Sequence, residues 1–357
     1  MTKVARLLVV GLLPVLGAHA GGGTNDLRGA SEVIDALKAH YVDREKLDSK
    51  LLNDATVAGI LNALGQGAQL LSADQVASNA AASSRPPKLR EPLARAEIIE
   101  PSIGYIRIAD VKEETMAALD VELKKFSAEK ADGYVLDLRF ADGTNYSAAA
   151  AVASRFLPAD QELFELKQAE GGEKKFRTSE AKESLAAELS EVPLMLLVNG
   201  QTRGSAEALA AALRAQDRGI VIGAKTAGSA AEWQEFKLKD GRVLRVATAK
   251  ITLPKSGEVF PDGIVPDVPV KIDPKIETDV LLNAATNVTL TASLQPRTKK
   301  KGLSEADLVK VYRGEAISTN EPPATGEEEG EVQKVRDVVL QRAVDILKGI
   351  RVLLSWQ

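Results

Sequence analysis

The stretch VNGQTRGSAEALAAALRAQ, residues 198 to 216, follows an apolar run and reads as a strand turning sharply into a helix. Several hydrolase architectures display a nucleophile on such a turn. This one offers Gly204, Ser205 and Glu207, and the next strand end, GIVIGAKT (219–226), offers Lys225. Partners for a nucleophile are scarce. The chain has 2 histidines, His19 and His40, and no cysteine. His40 lies in the helical-looking ALKAHYVD, where an ordinary surface or packing role is expected, and His19 falls in an N-terminal leader. A Ser-His-Asp triad, a Cys-His dyad and a multi-histidine metal site must therefore use His40 or are excluded. No EF-hand or His-rich metal spacing occurs, so neither a metal nor a cofactor is expected. GIVIGAKT has a faint likeness to a phosphate-binding loop, but Ala224 stands where that loop requires glycine before its lysine.

The whole chain narrows the classes further. Its 357 residues are enough for one or two domains, and the formal net charge is only -4. With charges nearly balanced and aromatic residues at 4%, nothing suggests a nucleic-acid partner. MTKVARLLVVGLLPVLGAHA has the layout of a Sec signal peptide: Lys3 and Arg6, a short apolar stretch, then a small-x-small site. Cleavage is expected after Ala20, giving a periplasmic or secreted protein with no stable membrane span. The absence of cysteine means that an oxidising compartment is not used for disulfides.

Periodicity then supplies the elements that must position any site. Residues 21–77 read as a leader and a small helical module, with apolar residues at helical spacing through Val33, Leu37, Tyr41, Val57, Ile60 and Leu64. Residues 78–95 read as a proline-containing linker. From 96 to 273 strands alternate with helices: IGYIRIADV, a helix over 113–129, GYVLDLRF, a helix over 147–157, QELFELK, VPLMLLV, the elbow helix and RGIVIG. This alternation predicts an α/β core with a central, largely parallel sheet. RVLRVATAKITL adds strands, expected as a hairpin after Lys239-Asp240-Gly241. Residues 274–357 form an extension with a basic run (297–301), an acidic segment (318–331) expected to be disordered, and a terminal amphipathic helix. That helix either docks on the body or makes an oligomer contact, and periodicity does not separate the two.

These segments together resemble the C-terminal processing, or tail-specific, serine proteases. The resemblance rests on YIRI with its following helix, VLDLR with Ala141-Asp142-Gly143, LLVN, IVIGAKTAG, LRVATAKITLP and GIVPDVPV, and it runs from about residue 31 to 272. It implies a tail-specific-protease-like core preceded by a small helical module, and cleavage of extended polypeptides near apolar C-termini by a serine and a lysine. A lysine base needs burial to depress its pKa. Matching the family elbow on Val198-Asn199 and Glu207 puts Gly204 at the nucleophile, and matching GAKTAGSA puts Ser229 at the lysine. Trp233 takes the place of the family's supporting glutamine, with Gln234 one position late. The family's PDZ domain has no room in the short linker.

The resemblance therefore implies a degenerate, non-proteolytic relative that binds a peptide or unfolded protein C-terminus in the envelope. A displaced Ser205/Lys225 dyad is the enzymatic alternative, although one step along a helix turns a side chain by about 100°. Ser205 otherwise belongs among the short polar residues that satisfy N–H groups at a helix start. A scaffold assembled through the C-terminal helix is a third reading. Gly143, Gly204 and Ser205 are the candidate peptide-binding positions, through N–H groups of a former oxyanion hole. For Gly143 the competing role is simply to permit a tight turn.

Overall fold

The computed structural model describes residues 28–76, 92–99, 102–169, 171–179, 189–255, 257–283 and 337–354. The N-terminal stretch expected to be a signal peptide, most of the linker, the basic run and the acidic segment lie outside the described residues. The chain divides into two compact units between Leu64 and Gly65.

The first unit holds α1 (Arg28–His40) and α2 (Ser49–Leu64). Asp48 starts α2, its Oδ1 accepting the Leu51 N–H at 2.6 Å. No residue of α2 is buried, and Val33, Leu37, Tyr41, Ile60 and Leu64 are exposed. His40 is exposed at the end of α1.

The second unit contains two sheets. The central one runs in the order β12 (Val268–Pro269), β8 (Ile220–Gly223), β7 (Leu194–Val198), β4 (Gly133–Asp137), β3 (Ile103–Ile108), β2 (Leu93–Ile99). All its pairings are parallel except β2 with β3. Every residue of β4 and β7 is buried, which explains why their sequences are continuous apolar runs rather than alternating ones. One face is covered by α3 (Glu113–Ala128), α4 (Tyr146–Ala153) and α5 (Gly204–Ala215) through Leu119, Leu123, Phe126, Val152 and Leu209. The alanines of α4 and α5 belong to the same core, small side chains that let two helices approach closely.

The opposite face (Ile103, Tyr105, Val135, Met195, Leu197, Ile222) packs on α7 (Val338–Leu354) through Val339, Leu340, Ala343, Val344 and Leu347. The terminal amphipathic helix thus docks on its own sheet.

The second sheet is antiparallel and was not separated from the first by sequence pattern. Its path is β1 (Ala68–Leu71), β10 (Val243–Leu253), β5 (Glu162–Gln168) and β6 (Glu173–Arg177), with β9 (Ala231–Lys237) and β11 (Gly257–Glu258) also on β10. The expected hairpin exists, with β9 as its first strand. Two boundaries move. Residues 68–71, assigned above to the helical module, pair antiparallel with β10, with Ala68 buried and Leu70 and Leu71 half-buried. The linker ends earlier than expected, since β2 begins at Leu93 and pairs with β3.

Candidate functional site

The elbow sits beyond the carboxyl end of β7, where open α/β sheets place their sites. Its entry is locked by short polar side chains. Thr202 Oγ1 donates to the Leu138 carbonyl at 2.8 Å and accepts the Asn199 N–H at 3.0 Å. Asn199 Oδ1 accepts the N–H groups of Phe140 (3.1 Å) and Gln201 (3.0 Å). The V-N-x-x-T pattern is therefore the latch that turns β7 into α5.

Gly204, where the resemblance places the family nucleophile, has φ +59°, a left-handed conformation that strains any residue with a Cβ. A Cβ there would also overlap the Gly143 carbonyl oxygen and lie 3.3 Å from Asp142 Oδ1. Gly143, at φ +149°, is held as tightly, since a Cβ on it would overlap Ser205 Oγ and come within 2.7 Å of the Val111 carbonyl.

Each N–H at this turn is used within the chain. Arg203 donates to the Ala141 carbonyl at 3.1 Å, Ser205 to the Gly143 carbonyl at 2.8 Å, and Gly143 to Asp142 Oδ1 at 2.8 Å. Gly204 donates to Ser229 Oγ at 3.3 Å. Gly204 and Ser229, where the resemblance places the family nucleophile and lysine, are thus brought together, as an amide and a hydroxyl.

Ser205 does not cap the helix as expected. The N-cap is Arg203, with no side-chain bond, and the first N–H groups go to the neighbouring turn instead. Ser205 is fully buried, and its Oγ makes only a long 3.4 Å bond to the Val111 carbonyl. Lys225 is exposed, and among the described residues no hydrogen bond joins it to Ser205. Gln234 is exposed and Trp233 half-buried, its indole N–H donating to the Ser229 carbonyl at 3.4 Å.

Glu207, in the first turn of α5, joins two loops of the elbow. It is fully buried, and its carboxylate accepts the Thr226 hydroxyl, the Gly228 N–H at 2.7 Å and the Ser229 N–H at 2.8 Å. It holds the loop after β8 against α5. Burial pushes its pKa above the usual carboxylate range despite those bonds.

A second polar cluster, also beyond the strand ends, escaped the sequence reading. Arg139 is fully buried and donates to Asp137 (Nε–Oδ1 2.9 Å, Nη2–Oδ2 2.6 Å) and to Asp337 (Nη1–Oδ1 2.9 Å, Nη2–Oδ2 2.8 Å). Asp337 caps α7, accepting the Leu340 N–H at 2.9 Å. Glu277, on α6 (Pro274–Thr278), lies 3.8 Å from Arg139 and accepts a bond from Asn199 Nδ2 at 3.0 Å. Tyr105 donates its hydroxyl to Asp137 at 2.7 Å. Burial by itself would raise the Asp137 pKa, but Arg139, with Arg107 and Tyr105, brings it below the usual value. For Glu277 burial prevails, and its pKa is raised. The LDLR run signalled this site, with an arginine two residues after an aspartate on a strand buried on both faces.

A sheet covered on both faces, an elbow at the carboxyl end of β7 and a glycine turn after β4 define an α/β serine-peptidase-like core. Residues 102–270 match Peptidase family S41, and the core of this chain is similar to that family. The chain is 30% identical over 166 residues to a carboxyl-terminal-processing protease of Synechocystis, covering 46% of this chain and 37% of that protein. It is 31% identical over 189 residues to a protease of the same description from Picosynechococcus, covering 51% and 44%. The chain thus spans less than half the length of these relatives. A solved structure from Parabacteroides merdae shares the fold, with TM-score 0.51 and 15% identity over 70% of this chain and 84% of that one. Among the described residues no helix is long and apolar enough to cross a membrane.

Proposed function

We propose that this chain is a non-cleaving member of its family that holds extended polypeptide in the bacterial envelope. The observation that carries this reading is the Gly143 carbonyl, which occupies the space a nucleophile's Cβ would need at position 204. The loss is therefore deeper than two side chains. The turn that would supply an oxyanion hole has closed on the elbow, and its donors are satisfied internally.

This closure also argues against peptide carbonyls docking on the amides of Gly143, Gly204 or Ser205. A better place for polypeptide is β9, which pairs with β10 alone among the described strands and leaves its other edge open to a further strand. Export rests on the signal-peptide-like N-terminus.

The displaced Ser205/Lys225 dyad is disfavoured by environment. A serine fully sealed from solvent and a lysine exposed to it are poorly placed for proton transfer. The scaffold reading is weakened because the apolar stripe of α7 is spent on its own sheet.

The test is incubation of the mature protein with an unfolded polypeptide ending in apolar residues, read by mass spectrometry beside Ser205→Ala and Lys225→Ala. Intact substrate in all samples is expected. Products that vanish in both variants would sink the reading and establish the displaced dyad.

A further inference from the structure

The central sheet ends differently on its two sides. At one end β12 is two residues long and includes Pro269, which has no N–H to offer a further strand. At the other end β2 runs for seven residues, LARAEII, without proline, and pairs with β3 alone among the described strands. Such an edge turns a row of N–H and C=O groups outward, the template on which another strand adds. The ladder with β3 is regular from Arg95 to Ile99, and a bulge at Ala94 interrupts it. Among the described residues no backbone hydrogen bond ties residues 94–99 to a turn or loop.

The side chains on this edge select what can add. Arg95 and Glu97 alternate with Ala96 and share one face of the strand. They form an ion pair, Arg95 Nη2 lying 2.9 Å from Glu97 Oε1, at 30% and 28% exposure. Charges on an edge ordinarily discourage addition. Here they are arranged symmetrically about Ala96. An identical strand laid antiparallel, Ala96 opposite Ala96, puts each Arg95 opposite the Glu97 of the other copy. Opposite charges directly across a ladder stabilise it, and like charges oppose it. A parallel in-register copy, or an antiparallel one centred on Arg95 or on Glu97, brings like charges together. Further out, Ile98 meets Ala94, apolar against apolar. The sequence of the edge therefore admits a copy of itself in one register.

We propose that β2 is a self-association edge, on which a second copy of this chain adds its own β2 antiparallel about Ala96 and joins two central sheets into one. The apolar stripe of α7 is buried on its own sheet, so assembly goes through the edge and not through that helix. The contact is short, which places the dimer among weak, concentration-dependent ones. It stands whether the chain holds polypeptide or cuts it.

Sedimentation velocity on the mature protein, from about 1 to 100 µM, reads the association. A monomer–dimer equilibrium is expected. Glu97→Arg and Arg95→Glu each put like charges into both central pairs, and each should weaken the dimer at least about tenfold. The double variant Arg95→Glu/Glu97→Arg restores opposite charges across the two-fold and should recover it, a rescue that misfolding of the single variants does not produce. The chain has no cysteine, so Ala96→Cys supplies a unique thiol. Opposed residues of an antiparallel pair have Cα atoms about 4.5–5.5 Å apart, within the roughly 4.4–6.8 Å that a disulfide spans. Oxidised Ala96→Cys should run as a covalent dimer, while Gln234→Cys, on the open edge of β9, should not.

A protein that stays monomeric at every concentration overturns the proposal, as does a dimer indifferent to both charge variants. So does a folded double variant, by circular dichroism, that remains dissociated. Cross-linking through Gln234→Cys in place of Ala96→Cys would assign the association to β9 and remove β2 from it.

Discussion

Arg139 and Gly204 both stand just beyond the carboxyl end of a central strand, and their surroundings differ in kind. Around Arg139 the chain keeps a full charge out of water and surrounds it with carboxylates from β4, α6 and the start of α7. Around Gly204 backbone carbonyls and amides fill the space. The frame is held by side chains (Asp137, Arg139, Asn199, Thr202 and Glu207), whereas the turn at Gly204 is held mainly by backbone groups.

The sharpest way to break this comparison is to remove the charge that the frame retains. Arg139→Met leaves Asp137, Asp337 and Glu277 buried without their cation. Breaking a buried ion pair from one side costs about 3–5 kcal/mol, because the remaining charge stays desolvated. Urea unfolding should show that loss, and hydrogen exchange should show α7 released before the central sheet. A loss under about 1 kcal/mol, typical of exposed ion pairs, would mean that water reaches the cluster.

The converse test puts a side chain back into the empty position. Gly204→Ser forces a Cβ against the Gly143 carbonyl at a left-handed φ, and a loss of about 1–3 kcal/mol is expected from strain and overpacking. Gly204→Ser combined with Ser229→Lys should remain inactive on unfolded polypeptide, because the donors of the former hole are engaged. Recovered cleavage would show that the closure is shallow and reversible.

Glu207→Gln examines the contact between the two loops of the elbow. Glutamine turns one accepting oxygen into a donor facing the Gly228 or Ser229 amide, leaving a buried group unsatisfied at a cost of about 1–3 kcal/mol.

The buried carboxylates titrate with opposite signs, even within the Arg139 cluster. Asp137 is lowered from its ordinary 3.8, so its stabilisation is present above that pH and is lost as pH falls through the folded value. Glu207 and Glu277 are raised from 4.5, so the stability they contribute is present below 4.5 and is lost as pH rises through their folded values. Melting temperature against pH should therefore show a loss below 3.8 that Asp137→Asn abolishes, and a loss above 4.5 that Glu207→Gln reduces.

Much of the frame was legible in the sequence because it is written in periodicity. β3, β4, β7 and β8 are apolar runs at strand length, and α3, α5 and α7 carry helical spacing. The alignment of Gly204 and Ser229 with the family's nucleophile and lysine came only from matching the spacing of family motifs. What could not be read was distance. Arg139 and Asp337 are 198 residues apart, and nothing local marks them as partners. The closure of the glycine turn was equally hidden, since it depends on backbone placement. Sequence suggested that Gly204 and Ser205 offer free amides, and only the placement of Ser229 Oγ and the Gly143 carbonyl shows where those amides point.

The smallest expected effect concerns Ser229 itself. Its Oγ is the acceptor of the Gly204 N–H, at a long 3.3 Å. Ser229→Ala removes that acceptor, and since Ser229 is only half-buried, water can replace it. A loss below about 1 kcal/mol in urea unfolding is expected, within the net value of a single hydrogen bond. If the loss approached that of Glu207→Gln, the hydroxyl would be a structural clamp in its own right, and the lysine position would have been converted rather than merely emptied. If nothing changed, the closure of the elbow would rest on Gly143 and Glu207 alone.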